Sequence, residues 1–174
     1  MSGDRALSHR GRGLLVLPLL GLAVALGACG DDDSADARRS ELSRDAVIEY
    51  RYGDSSVPPE FHRTYTLTIQ PDEVHVVVDS YGDVLQDTTE PVPAEVWDDL
   101  AGNVDDLEQL DVDAGDDGCD GGTSRSIRVS DQGHTVVDTE FGVCGDANDE
   151  AADQVDSFVQ PVVDSIPDWD RLIE

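Results

Sequence analysis

The chain has 174 residues, with 39 Asp and Glu set against 11 Arg, no lysine, and a formal net charge of −28. That balance excludes the basic footprint needed to hold a phosphate backbone, so no nucleic-acid partner is expected. The missing lysine likewise excludes P-loop and Schiff-base chemistry.

At the N-terminus Arg5, Arg10 and Arg12 precede an apolar run from Leu14 to Ala28 that ends in small residues before Cys29. Charged, oily, then small is the order of an export signal. The run holds fifteen residues and is broken by Pro18 and Gly21, whereas a bilayer-spanning helix takes about 20. A permanent transmembrane helix is therefore not expected. Leu26-Gly27-Ala28-Cys29 resembles the lipobox of bacterial lipoproteins. The resemblance implies cleavage before Cys29, diacylglycerol on its sulfur, and a lipid-anchored chain facing outside the cytoplasm. The anchor makes physical sense, because two acyl chains hold a protein stably where one holds it only marginally.

Residues 30–45 carry almost no apolar side chains and cannot offset the entropy of ordering. They read as a flexible acidic tether with an r.m.s. reach of roughly 20 to 25 Å. The expected organisation is a removed signal over 1–28, a lipidated cysteine and tether over 29–45, and one domain over 46–174. After residue 28 there remain 8 arginines and 38 acids, a formal charge of −30. Acidity of this kind speaks for solubility, or for adaptation to screening salt, before it speaks for recognition.

The first strand is expected at Ala46 to Tyr52. Val57-Pro58-Pro59 follows as a polyproline-like loop, and Val57 to Arg63 is similar to stretches of uncharacterised bacterial lipoproteins, a resemblance that brings no activity with it. Phe61 to Ile69 alternates cleanly, Pro71-Asp72 makes a turn, and Val74 to Val78 returns. With residue 70 opposite 73, Ile69 meets Val74, Leu67 meets Val76 and Tyr65 meets Val78, all on one buried face. The other face then carries His62, Thr64, Thr66, Thr68 and His75. His75 lies opposite Thr68, which puts it roughly 20 Å along the strand from His62, too far to share an ion. A weak strand follows the Gly82-Asp83 turn at Val84 to Thr88.

Ala94 to Leu110 repeats Val96, Trp97, Leu100, Val104 and Leu107 at helical spacing, with Pro93 suited to the first turn. Beyond it, Asp111, Asp113, Asp116 and Asp117 form a dense acidic stretch around Gly115 and Gly118. Calcium takes six to eight oxygens, so these four are candidate ligands for a weak Ca²⁺ site, although the EF-hand spacing fails.

Arg125 to Ser130 and His134 to Phe141 alternate as a second hairpin, with Asp131-Gln132-Gly133 as a three-residue loop. Pairing 130 with 134 sets Ile127 opposite Val137 and brings 119 and 144 within one residue of opposition. Cys119 and Cys144 are therefore expected to form a disulfide, worth roughly 3 to 3.5 kcal/mol by loop closure. Zinc bound by both thiolates and His134 is the alternative, but C-x-x-C and H-x-x-x-H spacings are missing. Asn148 to about Gln160 reads as the last helix, through Ala151, Ala152, Val155, Phe158 and Val159, with Pro161 breaking or kinking it.

The order β-β-β-β-α-β-β-α predicts an α+β domain, an antiparallel sheet of about six strands with two helices on one face. Its uncovered, threonine-rich face is the candidate binding surface. No G-x-S-x-G or H-E-x-x-H motif is present, so no catalytic residue is assigned. The expected function is a membrane-anchored binding or interaction domain with an envelope-protein or small-molecule partner. The alternative is a metal-dependent or acid/base hydrolase using aspartates near 111 to 120 with His134.

Overall fold

The computed structural model describes residues 41–113 and 121–174. In chain order these form β1 (Val47–Gly53), β2 (Thr64–Ile69), β3 (Glu73–Ser80), β4 (Asp83–Pro91), α1 (Ala94–Asn103) and a 3₁₀ segment (Val104–Gln109). They continue with β5 (Thr123–Asp131), β6 (His134–Val143), α2 (Asp149–Ser165) and the short α3 (Trp169–Leu172). All six strands pair antiparallel in the order β4-β3-β2-β1-β5-β6. The fold is the expected α+β sheet with two main helices packed on it.

Strand periodicity decides which face is dry. Ile48, Tyr50, Leu67, Ile69, Val74, Val76, Val78, Ile127 and Val129 alternate along their strands and are fully buried in one core with Trp97, Leu100, Ala101, Val104, Val155, Val159 and Val162. The β2–β3 register is the one the alternation predicts, with Ile69 opposite Val74, Leu67 opposite Val76 and Tyr65 opposite Val78.

The second hairpin corrects its expected register. Its turn is the two-residue Gln132-Gly133, both at positive φ (49° and 79°), with Asp131 opposite His134. Two left-handed residues match the twist of the flanking strands. A bulge then leaves Val136 unpaired, so Val129 meets Val137 and Ile127 meets Thr139. Away from the turn the slip is two residues, which keeps every side chain on its expected face. The β3–β4 turn is likewise Tyr81-Gly82 rather than Gly82-Asp83, again with both residues at positive φ.

Two helix boundaries also differ. The expected Ala94–Leu110 helix is α-helical only to Asn103 and tightens to 3₁₀ over Val104–Gln109, which keeps Val104 and Leu107 buried. Pro161 does not end α2. The helix runs on to Ser165 because Val159 and Val162 are buried on either side of the proline. A helix-interior proline costs about 3 kcal/mol, whereas burying one large aliphatic side chain stabilises by about 1.5 to 3. Ile166, also buried, extends the same face, so packing wins.

Leu42 and Ser43 correct the expected tether over 29–45 at its end: Leu42 is buried and donates its N–H to the Ala101 carbonyl (3.4 Å). Ser43 donates both its N–H (3.1 Å) and its hydroxyl to the Asp131 carboxylate, securing the incoming chain to the β5–β6 turn. These two Ser43 bonds hold Asp131 below the usual carboxylate range. A depressed carboxylate contributes stability that is complete above its unfolded value near about 3.9 and is lost as pH falls through the folded value. Ser43→Ala is therefore expected to move the Asp131 titration upward, read by carboxyl-carbon NMR. An unchanged midpoint would remove Ser43 as the cause.

Candidate functional site

The helix-side face of the sheet changes character at the end of β1. Ile48 lies in the aliphatic core, but Tyr50 and Tyr52, two and four residues on, stand on the same face beside Tyr65 of β2 and Arg125 of β5. The Tyr52 and Tyr65 rings stack at 5.1 Å, and the Arg125 guanidinium carbon sits 4.4 Å from the Tyr52 ring centroid. Arg125 donates from Nε and Nη2 to the two Asp156 carboxylate oxygens, both at 2.8 Å. Tyr50 donates its hydroxyl to the same carboxylate at 2.6 Å. One α2 aspartate thus joins two strands.

Trp169 of α3 meets Tyr65 edge to face, with centroids 5.0 Å apart and planes at 85°. Between this corner and α2 lies an open cleft of about 450 Å³ bordered by Tyr50, Asp156, Gln160, Val163, Asp164 and Asp170. Burial, the Tyr65 phenol and the bond to Asp156 push the Tyr50 phenol far above its ordinary range. Burial raises Tyr65 as well. Burial is the largest single influence on Arg125 and would lower it, but the bond to Asp156 together with the charge interactions of Tyr50, Asp156 and Tyr52 makes the net direction upward. Both phenols and the guanidinium therefore keep their protons near neutral pH.

The face proposed from sequence as wet is only partly so. His62 and Thr64 are buried, a correction whose cause is the segment between β1 and β2. Thr64 accepts the Asp54 N–H (3.2 Å), Asp54 accepts the Arg63 N–H (2.8 Å), and Ser80 and Tyr81 donate to the carbonyls of Pro59 and Val57. The loop is drawn over the sheet end, with His62 stacked on Tyr81 at 3.9 Å. Thr66, Thr68 and His75 stay half-buried, and His75 contacts Asp87 at 2.8 Å. Across the same face, Glu49, Arg51, Thr66, Ser126, Arg128 and Glu140 line a shallow groove of about 260 Å³. Arg128 pairs there with Asp138 at 3.0 Å.

The calcium candidates are divided. Asp116 and Asp117 lie outside the described residues. Asp111 and Asp113 border a cup of about 590 Å³ with Asp146, Asp149 and Glu150. Asn148 accepts the Asp113 N–H (2.8 Å) and donates to the Gly142 carbonyl (2.9 Å), tying that loop to the end of β6. Among the described residues no group of three or more His, Cys, Asp or Glu is arranged to hold a metal ion. His134 sits at the opposite end of β6 from Gly142, eight residues or about 26 Å away. The structure therefore does not bring His134 and Asp113 together. Cys144 is disulfide-bonded; Cys119, its expected partner, and Cys29 both lie outside the described residues.

Asp156 and Trp169 have no sequence signature, since the first is one acid among many and the second sits outside any periodic run. Tyr50 and Tyr52 were legible as members of the first strand and Tyr65 as a buried-face residue of the next, but nothing in the sequence joined the three or marked the rim of a cleft. No protein-family model and no curated protein matches the chain.

Proposed function

We propose that the chain is a lipid-anchored, extracytoplasmic binding domain, tethered through diacylglycerol on Cys29, that takes a ligand in the Tyr50–Tyr65–Trp169–Asp156 cleft without transforming it. The observation that carries the reading is the cleft wall itself. Aromatic surface and carboxylates converge on an open space, while the titratable groups behind them keep their protons near neutral pH and are already hydrogen-bonded. Catalytic acids and bases need values near the working pH, and Tyr50 is pushed the other way. Position supports the reading too. Ser43, on the N-terminal side of β1, is bonded to Asp131 beside the β5–β6 turn. Tyr52 lies five residues beyond Val47, about 16 Å along β1 and away from that attachment.

An oxidised Cys144 suits an exported domain, and we assign Cys119 as its partner. The test has two arms. Radiolabelled palmitate should mark Cys29, and Cys29→Ser should move the protein from the membrane to the soluble fraction. In the full chain carrying 5-fluorotryptophan, members of a mixed panel of anionic, neutral and cationic small molecules should shift the Trp169 resonance and leave buried Trp97 in place. An unacylated Cys29 would remove the anchor. A Trp169 resonance that no compound moves would remove the binding site.

A further inference from the structure

We propose that the corner between Tyr65 and Trp169 holds a small organic cation of the quaternary-ammonium class. The inference rests on the binding reading above and names its ligand. Two rings meeting at 85° with centroids 5.0 Å apart form adjoining walls. A compact alkylated cation can touch both walls at once, whereas the flat ring of a neutral saccharide needs one broad open platform. The electron-rich faces of Trp and Tyr attract such a cation, and the attraction grows as water is excluded.

The charge around the corner has the matching sign. Asp156 is neutralised by Arg125 and Asp164 accepts a bond from Gln160 (2.7 Å), but the Asp164 and Asp170 carboxylates border the cleft and no arginine is among its bordering residues. A cleft lined by one sign of charge concentrates the opposite ion. The fold also carries an internal precedent one ring away. Arg125 already lies over Tyr52 with its charge met by an α2 carboxylate, and Tyr65, Trp169 and the α2 residue Asp164 border the cleft together.

The experiment uses the full chain labelled with 5-fluorotryptophan. Choline is titrated against its neutral isostere 3,3-dimethylbutan-1-ol, against methyl glucoside, and against sodium chloride at equal ionic strength. Choline is expected to shift the Trp169 resonance saturably, at least tenfold more tightly than the isostere, with sodium chloride giving no saturable shift. The paired substitution Asp164→Asn with Asp170→Asn, at two exposed positions, should weaken choline several-fold while Trp97 keeps its resonance and the fold is retained. Phosphatidylcholine vesicles in a further arm distinguish a lipid headgroup from a soluble solute, and binding of either supports the same chemistry. Equal response to choline and the isostere, or response to methyl glucoside or anions alone, would overturn the cation while leaving the cleft a binding site. Silence of Trp169 toward every compound would overturn both.

Discussion

Asp156→Ala is expected to destabilise the domain by about 3 kcal/mol, lowering the midpoint of thermal unfolding by roughly 10 to 15 °C for a domain of this size. The size of the effect comes from what is left behind rather than from the bond removed. The Arg125 side chain is only 12% exposed, and without Asp156 its guanidinium would stay in place with no carboxylate. The Tyr50 hydroxyl would lose its acceptor in the same step. Stripping one member from a buried pair costs about 3 to 5 kcal/mol. The 37% exposure of Asp156 lets water recover part of that, which sets the lower figure. Tyr50→Phe removes a single hydrogen bond and should cost about 1 kcal/mol. Arg125→Met combined with Asp156→Leu should cost less than the two single changes together, since neither charge is then stranded. Urea denaturation of Arg125→Met, Asp156→Leu and their combination, beside Asp156→Ala and Tyr50→Phe, checks the pattern. Full additivity would show that Arg125 and Asp156 are not coupled.

Trp97→Ala is expected to cost about 4 kcal/mol, in the range for emptying a large aromatic site in a core. Trp97 is 2% exposed and is the largest of the fully buried side chains. It lies on the α1 stripe with Leu100 and Ala101, followed by Val104 of the 3₁₀ segment, and these pack into the same core as the inward faces of the sheet. A whole domain is commonly stable by only about 5 to 15 kcal/mol, so the variant should lose a large share of its margin. Phe158→Ala removes a half-buried ring from α2 and should cost less than half as much. Equal costs at Trp97 and Phe158 would mean that the core is not where the burial places it.

Much of the fold is readable from the sequence, because it rests on local rules. Alternation at Thr64 to Ile69 and Val74 to Val78 assigned both the strands and their register, since a shift by one residue would have put Leu67 and Val76 on opposite faces. The second hairpin was misread through its turn: Gln132 carries no sign of a left-handed conformation, and a bulge at Val136 leaves the polar pattern unchanged. The α2 boundary failed for a different reason. Pro161 weakens a helix wherever it stands, and only the burial of Val162 and Ile166 outweighs that.

The candidate site was less legible than the fold. Tyr50, Tyr52 and Tyr65 were visible as members of strands, but the pairing that stacks Tyr52 on Tyr65 joins β1 to β2 across the segment from Asp54 to Arg63. Asp156 reaches Arg125 from 31 residues away and Tyr50 from 106. His62 and Thr64, expected on a wet face, were covered by the Asp54–Arg63 loop, whose anchors Ser80 and Tyr81 belong to the next hairpin.

By itself the sequence determined class, strand faces, acidity and the N-terminal segment's resemblance to a lipoprotein signal, because each follows from composition or from a period of two or 3.6 residues. Tertiary structure decided the strand order, the continuation of α2 past its proline, and the meeting of Tyr65, Asp156, Arg125 and Trp169. Those outcomes depend on which distant surfaces share a core. That is settled by the summed burial of many side chains, a quantity no short window of residues contains.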